Sequence, residues 1–391
     1  MSDTPAKSSV KRSSQGPFTM WHGLDLPRLA RLLALRPKMS WGKAGQIATL
    51  PGFAAYNSLM KWAEKLTHGA AVSKVEIHPE PLFVVGHWRS GTTLLHNLLC
   101  QDEQFGFPNL YQCLFPHHFL LTESVSTKLT GWMLPDSRPM DNVPCGWDLP
   151  QEDEIALLLL SMVSPYRMMA FMENRGRFTR FFDPQDMTDS ERETWRATIT
   201  YLMKKLSVRY RDAGGNPKPL CMKSPSHTLR VGELTRMFPK ARFLYIHRDP
   251  YTVFSSTRHL RKTMWRENGL STRHPGDKAF DPIHEYVATI KAYERDKGLV
   301  PAGRLHEVEY EDLAADPLGE LEKFYAATSL GGFAELRETL EPQMADVKNY
   351  KRNRFELTPA EKQHVYEHAG FVFDLYGYDP QGADLGEPAV V

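Results

Sequence analysis

Nineteen residues, Pro81-Leu-Phe-Val-Val-Gly-His-Trp-Arg-Ser-Gly-Thr-Thr-Leu-Leu-His-Asn-Leu-Leu99, constrain the fold more than any other stretch of the chain. They read as a short apolar strand over 82–85, a polar loop bounded by Gly86 and Gly91, and an apolar helix over 92–101. A strand, a glycine-bounded loop and a helix N-terminus together aim backbone N–H groups at one point, which suits an anion. The frame Gly86-x-x-x-x-Gly91 matches a P-loop, but Thr92-Thr93 stand where a nucleotide triphosphatase has Lys-Ser/Thr. The cradle is kept and the ATP lysine is not, which points to a phosphorylated ligand other than ATP with magnesium. The Thr92 and Thr93 hydroxyls can donate to its oxygens, and Arg89 can replace the missing charge. The plainer alternative is a glycine turn that only packs strand against helix.

Downstream the pattern repeats. A helix over 190–206 carries Trp195, Ile199, Leu202 and Leu206 at helical spacing, with Ser190 and Glu193 as its capping box. Gly214-Gly215-Asn216-Pro217 ends it. A strand over 220–223 leads to a helix over 225–238 capped by Ser224. A strand over 242–247 leads to a helix from Pro250. Alternation at this spacing implies an α/β fold with a central parallel sheet flanked by helices. Further helices are expected over 280–296 and after Thr358, and a short strand over 306–310. Another helix, from near Pro150 through 155–162, opens on Glu152, Asp153 and Glu154, which suit its N-terminus. Residues 103–150 are rich in aromatics, Pro and His and read as an irregular, site-lining segment.

Ahead of the first strand, 1–17 reads as a disordered Ser/Lys/Pro tail and 18–75 as a basic helical extension, with helices over 26–37 and 42–66. The main domain is expected over 76–380. Residues 1–74 hold eleven Lys and Arg against three Asp and Glu, in a chain of net charge +1. Nothing in that overall charge suggests nucleic acid. Leu26, Leu29, Leu32, Leu33 and Leu35 alternate with Arg28, Arg31 and Arg36. Two readings stand: a helix docked on the main domain with its Arg side chains in water, or peripheral contact with an anionic membrane through 26–66. Four scattered cysteines show no C-x-x-C spacing, so neither a disulfide framework nor a zinc site is expected. No apolar h-region and no run of about 18 apolar residues is present, so a cytoplasmic protein is expected.

Ligands in an open α/β sheet sit beyond the carboxyl ends of the strands. Three such ends carry Gly86 to Thr93, Lys223-Ser224-Pro225 and His247-Arg248-Asp249-Pro250. These residues resemble the sulfotransferases that use 3′-phosphoadenosine-5′-phosphosulfate (PAPS). The likeness lies in Arg-Ser-Gly-Thr-Thr after a buried strand and in Lys223-Ser224-Pro225. It continues in Phe238-Pro-Lys-Ala-Arg-Phe-Leu-Tyr-Ile-His-Arg248-Asp-Pro and Val308-Glu-Tyr-Glu-Asp-Leu313. It spans about residues 81–330, closest to a mostly bacterial branch with a Pro-Gln-Glu-Asp-Glu stretch, here 150–154. The resemblance implies a P-loop-like sulfotransferase fold with added N-terminal helices. It also implies sulfuryl transfer from PAPS to an acceptor hydroxyl without metal. Arg89, Ser90, Gly91, Thr92 and Thr93 would hold the 5′ end, and Arg248 with Ser256 the 3′-phosphate. Lys351 or Arg354 could touch a phosphate from a closing loop, or simply be solvated. Lys223 is the candidate to stabilise the bridging oxygen, or else a surface lysine at a strand end. Arg248 could instead form a structural pair with Asp249.

A general base is expected for the acceptor proton. In several sulfotransferases a Glu lies about twenty residues beyond the loop arginine; here that stretch reads Asn109-Leu-Tyr-Gln112, without an acid. Asp153, Glu152 and Glu154 are the nearest candidates, since clustered like charges raise a pKa. They may equally serve only the helix N-terminus. His117-His118 is the other candidate, or a packed pair. The acceptor is open: sugar, lipid, small alcohol or peptide. Two rivals remain. A P-loop kinase would want Lys at position 92 and a magnesium-binding acid such as Asp249. A noncatalytic nucleotide- and membrane-binding protein would use the basic N-terminal region.

Overall fold

A computed structural model describes residues 18–134, 145–344 and 356–381. Lys351, Arg354 and the 1–17 tail lie outside them. Four strands, β1 (Leu82–Val85), β2 (Cys221–Lys223), β3 (Arg242–His247) and β4 (Leu305–Glu309), form one parallel sheet in the order β2-β1-β3-β4. The chain leaves β1 for β2 on one side and returns past it to β3 on the other. The β1/β3 boundary is therefore the switch point where an open sheet binds ligands.

The central strand β1 is apolar throughout, and β3 through its middle, because both faces are covered there. Phe83 and Val85 join a core with Phe243, Tyr245 and Trp195, while Leu82 and Val84 join another with Leu244, Ile246 and Phe324. Each fully buried side chain of this kind contributes about 1.5–3 kcal/mol. Helix α1 (Leu26–Ala34) docks through Leu29 and Leu32, and Arg28 donates from Nε to the Leu160 carbonyl at 2.9 Å. Its Arg28 thus faces protein, as do Leu29 and Leu32, while Leu26, Arg31 and Leu33 are exposed. Helix α2 (Ala44–Lys74) runs eight residues beyond the expected end at 66 because Val72 is buried and extends its inner face.

Helix α3 (Thr92–Leu99) follows the β1 loop. The segment read as irregular contains α4 (Leu110–Leu114) and α5 (Phe119–Thr130). Asn109 and Gln112, read above only for the acid they lack, are a capping box: Gln112 N–H donates to Asn109 Oδ1 at 2.9 Å and Asn109 N–H to Gln112 Oε1 at 3.2 Å. Helix α6 (Asp153–Ser161) begins at the acidic triplet. Helix α7 (Asp189–Arg209) is boxed by Thr188 and Glu191 rather than Ser190 and Glu193, two residues earlier. After β2 a 3-10 turn over Pro225–Arg230 precedes α8 (Val231–Met237), and Ser224 Oγ accepts from Ser226 N–H as expected. Helix α9 (Pro250–Asn268) follows β3 and is capped by Asp249, which accepts from the Thr252 N–H and hydroxyl. Then come α10 (Ile283–Asp296), α11 (Tyr310–Ala315), α12 (Pro317–Ala327), α13 (Phe333–Leu340) and α14 (Pro359–Tyr376).

Candidate active site

The β1 loop is held by its backbone. Gly86 has φ 147°, and a Cβ there would lie 2.4 Å from the Ile246 carbonyl oxygen. Gly91 has φ 106°, and a Cβ there would lie 2.4 Å from the Tyr310 ring. Neither position tolerates a side chain, so the backbone comes as close to β3 and α11 as glycine allows. Gly86 N–H donates to Thr228 Oγ1 at 2.7 Å. Ser90 differs from expectation: its hydroxyl and N–H both donate to the His87 carbonyl, at 2.7 and 3.2 Å, so the side chain shapes the loop. Thr92 and Thr93 open α3.

Across the switch point, Arg248 follows β3. Its guanidinium lies 3.9 Å over the Tyr310 ring, donates to the Arg89 carbonyl at 3.4 Å and stands 3.7 Å from Glu311. The partner of Arg248 is Glu311 rather than Asp249. Arg89 Nε donates to Ser256 Oγ at 2.8 Å. Arg89, Arg248 and Ser256, separated by up to 167 positions, therefore meet in one place. Partial burial pushes the Glu311 carboxyl up to about 7, against the pull of Arg248, although 43% of the side chain is exposed.

The acidic triplet meets the β2 loop residue by residue. Lys223 Nζ donates to Glu152 Oε1 at 3.0 Å. His227 Nε2 bonds Asp153 at 2.9 Å. Arg230 Nη1 donates to Glu154 Oε2 at 2.6 Å while its guanidinium also donates to the Phe181 and Phe182 carbonyls and lies over Trp195. The second and third pairs are sealed in the core on both sides. In the first, Lys223 is buried but Glu152 keeps 18% of its side chain in solvent. Glu152 Oε2 also accepts from Tyr166 O–H at 2.5 Å, and that phenol oxygen accepts from Trp88 Nε1 at 2.9 Å.

This corrects the expectation for the acids. Asp153 and Glu154 cannot reach an acceptor, because each is enclosed with its own cation, and a mutual like-charge effect is answered by His227 and Arg230. Burial still raises the Asp153 pKa, with His227 opposing. Sequence reasoning missed His227, Arg230 and Tyr166. The signal for the first two lay in Lys223-x-x-x-His227-x-x-Arg230, which sets three basic side-chain types within eight residues. No local signal marks Tyr166. The histidine pair is packed: His117 Nε2 bonds the Leu159 carbonyl, His118 bonds Thr122 and Asn57, and burial pushes both down, to about 3 and about 4. His247 bonds Tyr378 at 2.7 Å and stacks on Tyr376; burial lowers it to about 4, which leaves it a satisfied strand-end side chain.

The switch point thus brings together a glycine cradle, two arginines and a lysine–glutamate pair, and the comparisons give the class. The sequence model described as "Sulfotransferase family" matches residues 81–335. The chain belongs to the sulfotransferase family. It is 34% identical to the omega-hydroxy-beta-dihydromenaquinone-9 sulfotransferase Stf3 of Mycobacterium bovis and of Mycobacterium tuberculosis, over 98% of this chain and 98% of each relative. Among solved structures it is similar to sulfotransferase STF9 from Mycobacterium avium, with TM-score 0.64, 18% identity and 93% of both chains covered. It is also similar to sulfotransferase STF1 from Mycobacterium tuberculosis H37Rv, with TM-score 0.60, 18% identity and 88% of this chain and 91% of that one covered. These likenesses confirm the expected P-loop-like α/β fold.

Proposed function

We propose that the crevice moves a sulfuryl group from PAPS to the hydroxyl of a lipid acceptor and releases adenosine 3′,5′-bisphosphate. The observation that carries this reading is the Lys223–Glu152 pair. It places a buried cation and a partly open carboxylate 3.0 Å apart at the end of the strand beside the cradle. The cradle fits a phosphosulfate: its two glycines let the β1 loop close against β3 and α11 and turn into the N-terminus of α3, whose N–H groups suit an anion, and the surrounding donor set is cationic. When bound, PAPS supplies the sulfuryl group and a phosphate leaving oxygen.

The protein's residues do the rest. Backbone N–H groups of the β1 loop, with the Thr92 and Thr93 hydroxyls, bind the 5′ end. Arg248, with Arg89 and Ser256, binds the 3′-phosphate as a charge-assisted site. Glu152 takes the proton of the acceptor hydroxyl as its oxygen bonds to sulfur and the sulfur–oxygen bond to phosphate breaks. Lys223 stabilises the electron pair left on that phosphate oxygen. Tyr166 fixes the Glu152 carboxylate by donating to its other oxygen. A sulfuryl group carries less charge than a terminal phosphoryl, so Arg, Lys and backbone donors suffice without a divalent cation. The lipid class of the acceptor is supported by the 34% identical relative, which is named for a hydroxylated menaquinone derivative.

The test is transfer of labelled sulfate from PAPS to omega-hydroxylated isoprenoid quinols in the presence of EDTA. Labelled sulfolipid is the expected product. Failure with every hydroxylated lipid would remove the acceptor class. A requirement for ATP and magnesium would overturn the donor.

A further inference from the structure

We propose that the outer face of α2, together with α5, seats this protein on the surface of an anionic lipid bilayer. This surface is separate from the crevice, and the proposal does not depend on what the acceptor is. A helix on a globular surface normally turns a polar face to water. Helix α2 does not. Its inner face is buried through Leu50, Ala54, Asn57 and Val72. Its outer face, at helical spacing, presents Ala55, Leu59, Trp62, Leu66 and Ala70, all exposed, with Trp62 at 62% and Leu66 at 66%. Helix α5 packs on α2, where His118 Nε2 bonds Asn57 at 3.0 Å and Leu121 N–H donates to Glu64 at 3.3 Å. It too carries large exposed apolar side chains, Leu129 at 67% and, one turn on, Trp132 at 83%. Single exposed apolar residues are ordinary; rows of them on two packed helices mark a contact surface.

Charge identifies what it contacts. Among the described residues up to Lys74, the acids are Asp25 and Glu64, and both are buried against cations: Asp25 with Arg28 and Lys61, Glu64 with Lys205. Glu123, the acid of α5, is buried beneath Asn109 and Gln112. The exposed charges of these two helices are Lys65, Lys74 and Lys128, all positive. Tryptophans on an apolar face flanked by lysines are the composition that settles at an anionic bilayer–water boundary, rings at headgroup level and ammonium groups on phosphates. A second copy of the chain is the poorer occupant. In a two-fold interface the patch would meet itself, and its lysines would face lysines with no exposed acid on either helix to answer them. The contact is centred on α2 and α5, because α1 buries Leu29 and Leu32 in the protein's own core and, of its leucines, leaves only Leu26 and Leu33 exposed.

The experiment is co-flotation of the full chain with vesicles of phosphatidylcholine, with and without phosphatidylglycerol. The comparison is with the triple variant Leu59→Ser/Trp62→Ser/Leu66→Ser and with Lys65→Glu/Lys128→Glu. All five positions are exposed, so unchanged thermal melts are expected, and the charge variant gives an independent test if the triple variant does not fold. The full chain should float with phosphatidylglycerol vesicles, and each variant should lose binding by about tenfold or more. No flotation of the full chain, or equal flotation of both variants, would overturn the proposal. A dimer that the triple variant converts to monomer, without vesicle binding, would assign the face to a second copy and overturn it as well.

Discussion

The Glu152–Lys223 pair and the two pairs behind it are made from consecutive acids and from cations on one short loop, yet they sit in different worlds. Asp153–His227 and Glu154–Arg230 are closed off from solvent on both partners, and Arg230 has further acceptors in the Phe181 and Phe182 carbonyls. Such a pair contributes little net stability over an apolar replacement but is expensive to break from one side. Glu152–Lys223 has one oxygen edge at the crevice and a third partner, Tyr166. A carboxylate there can meet a substrate. The lesson is that three adjacent acids differ in access, one partly open to solvent and two sealed, and the proposed division between chemistry and scaffold follows that difference.

The comparison breaks most visibly at Lys223. Lys223→Ala should lower the transfer rate by about 10³-fold, on the scale of removing one donor to a developing oxyanion. Steady-state assay at saturating donor would check this, and a residual rate above one-tenth would mean that the leaving oxygen is stabilised elsewhere. On the sealed side, Arg230→Ala leaves the Glu154 charge buried without its partner. A loss of about 3–5 kcal/mol in urea unfolding is expected. A loss below 1 kcal/mol would show that the pair is not structural. The smallest effect lies at the arginine site. Glu311, held up at about 7, is neutral below that pH and leaves Arg248 to the phosphate; above it the carboxylate competes for Arg248. Calorimetric affinity for adenosine 3′,5′-bisphosphate should therefore weaken by about twofold to fivefold as pH rises through 7. Glu311→Gln should flatten that part of the profile, leaving only the ligand's own titration.

Much of this was legible beforehand, for physical reasons. The strand β1, its glycine loop and the Thr92 helix start are local: an apolar run, two positions that demand glycine, and a helix N-terminus. Arg248 and Ser256 were legible because they lie on one turn-and-helix segment. What escaped depends on tertiary packing. Nothing in Glu152-Asp153-Glu154 states which acid faces the crevice; that is set by where α6 lies against the 3-10 turn carrying His227 and Arg230. Tyr166 reaches Glu152 from fourteen residues away through a turn with no repeat to announce it. The helices at 110–114 and 119–130 were obscured by Pro and aromatic content, although the Asn109–Gln112 box was written in the sequence. Likewise, the sequence allows membrane contact anywhere over 26–66, while burial assigns Leu29 and Leu32 of α1 to the core and leaves the Leu59–Trp62–Leu66 row of α2 exposed.

The most direct test sets Glu152→Gln beside Glu154→Gln, with transfer rate and unfolding free energy measured for both. Glu152→Gln should lose about 10²–10⁴-fold in rate as a missing general base, with a smaller stability loss than Glu154→Gln because its carboxylate is partly solvated while Lys223 loses its countercharge. Glu154→Gln should do the reverse and lose stability by kilocalories while the folded fraction keeps its rate. A Glu152→Gln protein that transfers sulfate at the parent rate would contradict the division of the acidic triplet and remove Glu152 as the base.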